Sequence, residues 1–168
     1  MKMPAGKLLL LSLVILLLFT PLTAQNKEKK AWINGFCGGG VSHSDYGSDG
    51  YIHPGIGGDI LIAGGFGLGG EIGFIHFPGT TNNGTLLSLG GIYAFKPERR
   101  TVPFLTGGYV GFVGDGISAG AYLGGGIMHF LGDHLGIRLE ARDQIYSDNW
   151  GGDYHYLEAR GGIVLAWD

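Results

Sequence analysis

The strongest constraint on the fold is the alternation of charged and apolar side chains in the segment GIRLEARDQIY, residues 136–146. Arg138, Glu140 and Arg142 occupy every second position, and Ile, Leu and Ala fill the positions between them. Side chains of a strand point alternately to opposite faces, so this period predicts a strand with one charged and one apolar face. The four-residue spacing of the two arginines would also suit a helix. The rest of the chain has to distinguish the two.

Glycine decides against the helix. The chain of 168 residues contains 35 glycines, well above the roughly 7% of ordinary proteins, and each glycine inside a helix costs roughly 1 kcal/mol relative to alanine. The absence of a Gly-X-Y period excludes collagen. A hydrophobic content of 45% argues against a disordered linker. The composition and the alternation together indicate an all-β protein.

The first residues have the pattern of an export signal. Lys2 and Lys7 precede an apolar run over residues 8–19, which is shorter than the ~20 residues needed to span a bilayer. We therefore expect a signal peptide over residues 1–24 and one barrel domain over residues 25–168. Removing the signal leaves 9 of the 11 basic residues against 14 acids, a net charge of −5. This charge disfavours nucleic acid as a partner.

Alternation recurs throughout the exported part. Most of the alternating segments match the ~9 to 11 tilted residues with which a strand crosses a bilayer. The eight predicted strands cover residues 31–41, 56–63, 68–77, 85–95, 102–113, 119–130, 135–146 and 154–167.

The connections between these strands alternate in character. One set is mostly longer and rich in Asp, Asn, Ser and Gly, and it comprises residues 42–55, 78–84, 114–118 and 147–153. The other set is shorter and comprises residues 64–67, 96–101 and 131–134. Long outer loops and short periplasmic turns are typical of an outer-membrane barrel.

Aromatic residues are predicted to form two girdles at the membrane boundaries. The periplasmic girdle would contain Trp32, Phe95, Phe104, Phe130 and Trp167, and the outer girdle Tyr46, Tyr51, Phe77, Phe112, Tyr146, Trp150 and Tyr154. An eight-stranded barrel is just wide enough to be filled by side chains. The glycines would then be small inward residues beside bulky ones such as Tyr109 and Tyr122.

The last two strands are predicted to match opposite charges. If residues 147–153 form a symmetric hairpin, Glu140 faces Arg160 and Arg142 faces Glu158. A barrel with lipid outside and a filled interior requires such matching, because an unpaired charge in a narrow lumen costs several kcal/mol.

Further charges complete a predicted lumen network. Arg138 has no partner in its hairpin, and we expect it to reach Asp59 or Glu71. The network consists of Asp59, Glu71, Arg138, Glu140, Arg142, Glu158 and Arg160, with three positive and four negative charges. Asp143 is expected on the outward face, where an acid is tolerated only near the outer rim.

Three segments carry a resemblance to the OmpA-like family of small outer-membrane β-barrels. They are VPFLTGGYVGF, AYLGGGIMHFLGDHLGIRLEARDQIY and YLEARGGIVLAWD. The resemblance implies an eight-stranded antiparallel up-and-down transmembrane β-barrel in the bacterial outer membrane. It also implies an interior network of Arg and Glu, carried here by Arg138, Glu140, Arg142, Glu158 and Arg160, and recognition by the barrel-assembly machinery. Many members of the family end in an aromatic residue, whereas here Trp167 is penultimate.

The expected function is non-enzymatic: a monomer in outer-membrane lipid with a structural or surface-interaction role through its outer loops, whose extracellular partner the sequence does not identify. Ser42, His43, Asp45, Asp49 and His53 in the first loop have the residue types of a hydrolase or a cation site. Their spacing matches neither a zinc nor a calcium motif, so no catalytic residue, metal or cofactor is expected. The alternatives are a narrow gated channel for small solutes, a lipid-modifying enzyme, and a soluble periplasmic barrel with an apolar pocket.

Overall fold

The computed structural model describes residues 29–44, 47–79, 83–114, 116–147 and 153–168. The predicted signal peptide, residues 1–24, lies outside this part of the chain, as do Asp45, Tyr46 and Trp150. Within the described residues, no helix is long and apolar enough to cross a membrane.

The chain folds into one closed antiparallel barrel in which each strand pairs with its neighbours in sequence and β8 pairs with β1. The predicted all-β, eight-stranded class is confirmed. The strands are β1 (Ala31–Ser44), β2 (Gly47–Ala63), β3 (Phe66–His76), β4 (Asn83–Ala94), β5 (Thr101–Val113), β6 (Ile117–Phe130), β7 (Leu135–Ser147) and β8 (Asp153–Trp167).

The predicted register of the last hairpin is confirmed. Glu140 stands opposite Arg160, and Arg142 stands opposite Glu158. The pairing continues to Ser147 opposite Asp153, and the alternation of both strands fixes this register, because a slip by one residue would turn every charge of one strand to the outside.

The first predicted loop, residues 42–55, is wrong. β1 and β2 pair without interruption from Ala31 opposite Ile60 to Ser44 opposite Gly47. The physical reason lies in the second strand, where Tyr51 is buried and Ile52 is exposed, so alternation continues through the segment. The remaining connections are short at both ends of the barrel, and the predicted contrast between long loops and short turns is absent from the described strands. Below, the end with the 45–46 connection is called the loop end and the opposite end the turn end.

The outward face of the barrel is apolar. Leu89 is 73% exposed and Leu123 is 72% exposed, and Ile60 and Ile163 also point outward. The arginines and most of the acids of the same strands are buried in the interior, whereas Asp143 lies on the outward face of β7, as expected from the sequence. The apolar face is therefore outside and the charged face inside, the reverse of a soluble protein. A surrounding of acyl chains requires this arrangement.

Most of the predicted aromatic girdle is wrong. Only Phe95 and Trp167 of the predicted periplasmic girdle are exposed, while Trp32, Phe104 and Phe130 lie fully inside. At the loop end, the Tyr51 and Tyr146 side chains are buried and those of Phe77 and Phe112 pack against them. The side chain of Tyr154 lies outside the described part. Strand alternation gives these positions inward directions, which proximity to a strand end does not reveal.

Tyr109 is also corrected, because it is 80% exposed on the outside of β5 rather than inside. Tyr122 points inward as predicted.

Most of the inward aromatic residues, Phe36 excepted, belong to two apolar clusters that close the two ends of the lumen. The lower cluster, at the turn end, contains Trp32, Leu61, Ile92, Ala94, Val102, Phe104, Met128, Phe130, Val164 and Ala166. The upper cluster, at the loop end, contains Tyr51, Ile75, Leu86, Val110, Tyr122 and Tyr146, with Phe77, Phe112 and Tyr156 packed against it. The charged residues lie between the two clusters.

Glycine makes the room for these interior side chains. A β-carbon on Gly38 would lie 2.8 Å from the Arg160 Cβ atom, and one on Gly40 would lie 2.8 Å from the Tyr51 ring. Real Cβ atoms do not approach this closely. The glycines therefore act as inward spacers beside bulky residues, as expected from the sequence.

Candidate functional site: an ion-paired lumen

The structure places all seven residues of the predicted network inside the barrel. Asp59 projects from β2 and Glu71 from β3, and the other five come from β7 and β8. Each side chain is at most 10% exposed where an ion pair is formed. Four strands on two sides of the cylinder are thus joined through their charges.

Glu140 is the centre of this network. Its Oε2 atom accepts hydrogen bonds from Arg138 Nη2 at 3.0 Å and Arg160 Nη2 at 2.8 Å, and its Oε1 atom accepts one from Arg142 Nη2 at 2.9 Å. Thr106 Oγ1 donates a further bond to Oε1 at 3.0 Å. One carboxylate therefore binds three guanidinium groups, and Asp59 and Glu71 supply further negative charge.

Glu71 forms a second bridge across the lumen. Arg142 binds it through two nitrogens, at 2.7 Å and 3.1 Å. Arg160 Nη1 donates to Glu71 at 3.0 Å, and its Nη2 also contacts the carboxylate. Paired N–H···O bonds of this kind are the strongest and most directional contacts that arginine makes with a carboxylate.

Arg138 reaches Asp59, one of the two partners expected from the sequence. The Nη1 to Oδ2 distance is 2.6 Å, and both side chains are buried. This contact joins β7 to β2, which are not neighbours in the sheet.

The predicted pairing of Arg142 with Glu158 is wrong as an ion pair, although the two residues stand opposite each other. Arg142 turns instead to Glu71 and Glu140. Glu158 accepts a hydrogen bond from Gln144 Nε2 at 2.9 Å and lies 2.9 Å from His53 Nδ1. The strand register determines which residues stand opposite each other. Long side chains can nevertheless form ion pairs with residues on the other side of the lumen.

His53 is the network residue that the sequence reasoning missed. The sequence places it in the predicted first loop, among candidate catalytic or cation-binding residues, but in the structure its side chain is 2% exposed inside the barrel. The alternation of Tyr51, Ile52 and His53 is the signal that would have found it.

We expect His53→Ala to lower the free energy of unfolding by about 1–3 kcal/mol, because the buried Glu158 carboxylate loses a hydrogen-bond partner. Urea unfolding in lipid vesicles measures the change. The matched control is His76→Ala, an exposed histidine that bonds Asn83 Oδ1, for which about 0.5 kcal/mol or less is expected. Equal losses in the two variants would contradict the assigned role of His53.

Each arginine of the network also lies over an aromatic ring. The Cζ atoms of Arg138, Arg142 and Arg160 lie 4.4, 4.1 and 4.3 Å from the ring centroids of Phe104, Tyr122 and Phe36. A desolvated cation over a ring is worth about 2 kcal/mol or more. Phe104 belongs to the lower cluster and Tyr122 to the upper cluster. These contacts therefore connect the lumen network to both clusters.

The remaining candidates of the first hairpin do not assemble into a catalytic or metal site in the described residues. Ser42 Oγ donates to the backbone oxygen of Asp49 at 3.2 Å, and His43 Nδ1 lies 2.7 Å from Ser48 Oγ rather than from Ser42. The described ranges contain no group of three or more His, Cys, Asp or Glu side chains that could hold a metal ion.

No family model matches the sequence, and no curated protein matches it. Solved structures do match. Neisserial surface protein A has a TM-score of 0.64 and 14% identity, covering 82% of this chain and 97% of its own. The N-terminal barrel domain of OprF from Pseudomonas aeruginosa has a TM-score of 0.59 and 16% identity, covering 86% and 100%. The chain has the fold of the small outer-membrane β-barrels.

A third barrel of this fold is Ail, the attachment invasion locus protein of Yersinia pestis. Its TM-score is 0.54 and its identity is 10%, over 82% of this chain and 99% of its own. At these identities the likeness extends to the fold alone. The resemblance to small outer-membrane β-barrels, predicted from the sequence, is confirmed for the fold.

Proposed function

We propose that the chain is an integral protein of the bacterial outer membrane with a structural, non-enzymatic role. The observation that carries this proposal is the inversion of the two faces. Aliphatic side chains cover the outside of every strand, and an ion-paired network fills the inside. Only acyl chains make the outer surface favourable, because exposing it to water would cost about 25 cal/mol per Å².

The filled lumen supports a structural role over general diffusion of solutes. A solute would have to pass the lower cluster, the ion pairs and the upper cluster in turn. Trp32, Phe130 and Met128 are at most 1% exposed at one closure. Rigid cross-links between β2, β3, β7 and β8 would keep the cylinder in one shape in a laterally stressed membrane.

The paired β1–β2 hairpin supports a surface role at the loop end. Its described tip exposes Ser48, Asp49 and His43. The proposal includes a monomer that reaches the membrane through the barrel-assembly machinery, with its closing strand ending at Trp167.

Folding in detergent tests the membrane assignment. We expect the refolded protein to resist unfolding in detergent until it is heated, and to migrate on a gel as two species before and after heating. Good solubility without detergent, together with failure to fold in it, would overturn the proposal in favour of a soluble barrel.

Planar-bilayer recording separates the structural role from the gated channel. We expect no steady conductance from the folded protein, because the ion pairs and both apolar clusters obstruct the lumen. Discrete conductance steps that change when Glu140→Gln is introduced would favour the gated channel instead.

A further inference from the structure

The outer wall of the barrel contains a shallow groove where small residues on neighbouring strands replace the long aliphatic side chains. This wall groove has a volume of about 550 Å³, and the outward-facing residues among those that line it are Gly39, Ala141, Asp143, Leu157 and Ala159. Ala141 stands opposite Ala159, and Ala159 opposite Gly39, so three neighbouring strands present small side chains in one row.

The groove continues toward the turn end. A second depression of about 770 Å³ is lined by residues that include Gly35, Cys37 and Gly161. Cys37 stands opposite Gly161 in the register of β1 and β8, two positions along from Gly39 and Ala159. The two depressions form a track of small residues bounded by Ile56, Ile163 and other aliphatic side chains.

The loop end of the track carries polar groups. The Asp143 Oδ2 atom lies 3.4 Å from His155 Nδ1, with side-chain exposures of 36% and 45%. His155 stands opposite His43, whose Nδ1 lies 2.7 Å from Ser48 Oγ. An acid and two imidazoles thus lie directly above the apolar track, on the outside of the barrel.

The spacing suits one acyl chain. His155 and Ile163 are separated by about 26 Å of strand at about 3.3 Å per residue, which a tilt of about 45° reduces to about 19 Å across the bilayer. A single leaflet contributes about 15 Å of hydrocarbon. A chain anchored beside Asp143 and His155 would therefore follow most of the track.

The distribution of charged residues around the wall groove indicates which lipid headgroup it would bind. Beyond residue 28, every lysine and every arginine outside the lumen network lies at the turn end, namely Lys29, Lys30, Lys96, Arg99 and Arg100. A multiply anionic headgroup would find no lysine or arginine on the outer wall beside Asp143 among the described residues, because the Arg142 side chain points into the lumen. A headgroup with one ammonium and one phosphate would place the ammonium on Asp143 and the phosphate on the imidazoles.

We propose that the wall groove binds a glycerophospholipid with a zwitterionic phosphoethanolamine headgroup, its acyl chain lying over Ala159, Gly39 and Cys37. This inference rests on the proposed membrane location, which the detergent-folding experiment tests separately. A barrel that folds in detergent but selects no lipid would refute the groove while leaving the location intact.

Native mass spectrometry tests the groove. The folded protein is mixed with equal amounts of phosphatidylethanolamine, phosphatidylglycerol and a lipid A, and the lipid retained after delipidation is identified. We expect retention of phosphatidylethanolamine in preference to the other two. Equal retention of all three, preference for lipid A, or a second protein copy in place of lipid would overturn the proposal.

Two variants locate the site. Gly39→Leu fills the groove from the outside, and we expect it to reduce retention about tenfold, equivalent to about 1.4 kcal/mol. Gly91→Leu is the matched control, because Gly91 is exposed on β4 and the nearest atom to an added Cβ would be 3.7 Å away. Asp143→Asn is expected to keep lipid binding but abolish the preference over phosphatidylglycerol. Loss of retention in the control, or unchanged selectivity in Asp143→Asn, would contradict the site.

Discussion

Glu140→Gln is expected to lower the free energy of unfolding by about 3–5 kcal/mol, the cost of removing one partner from a buried ion pair. The substitution preserves volume but removes the negative charge that contacts Arg138, Arg142 and Arg160. Three buried guanidinium groups would then share the remaining acids. Urea unfolding of the barrel in lipid vesicles, followed by tryptophan fluorescence, measures the change.

Glu98→Gln is the matched control for this loss, because Glu98 is exposed in the connection between β4 and β5. We expect a change within about 0.5 kcal/mol for that variant. A similarly small change for Glu140→Gln would mean that the lumen network contributes little to stability, and the structural role argued for it would be lost.

Leu89→Arg is expected to destabilise the barrel by about 2–4 kcal/mol, the cost of an arginine at the bilayer midplane. Leu89 is 73% exposed near the middle of β4, so the new side chain would enter the acyl region without disturbing the lumen. The same unfolding measurement in vesicles reports the loss.

Leu131→Arg makes the identical change in the connection between β6 and β7, on a residue that is also exposed. There the arginine reaches the interface, where a cost of about 0–1 kcal/mol is expected. Equal costs at the two positions would show that the middle of β4 does not lie in hydrocarbon.

The fold could be predicted from the sequence because side-chain alternation and glycine content are properties of short segments, and both favour strands. The β7–β8 register could be derived from the symmetric turn, and it placed Glu140 opposite Arg160 as observed. The pairing of β1 with β2 in the first hairpin could not be derived, because the Gly, Asp and Ser residues at positions 47–50 have the composition of a loop. Pairing with β1 overrides that local preference, as tertiary context commonly does in strands.

The sequence predicts which residues lie in the lumen network, but it predicts less well which of them pair with each other. Strand parity alone places the charged residues inside, whereas the partners of Arg142 and Glu158 depend on the reach of side chains across the lumen. The prediction for Trp32 and Phe104 is wrong for a related reason. Position near a strand end suggested a girdle, but parity turns both residues into the lower cluster.

The inverted arrangement of the two faces is tested most directly at Cys37, the single cysteine of the chain, which is exposed on the outside of β1. A nitroxide label on Cys37 in bilayer vesicles reports collisions with oxygen, which concentrates in hydrocarbon, and with a water-soluble nickel chelate. We expect frequent collisions with oxygen and few with the chelate. Frequent collisions with the chelate would place this face in water and contradict the membrane barrel.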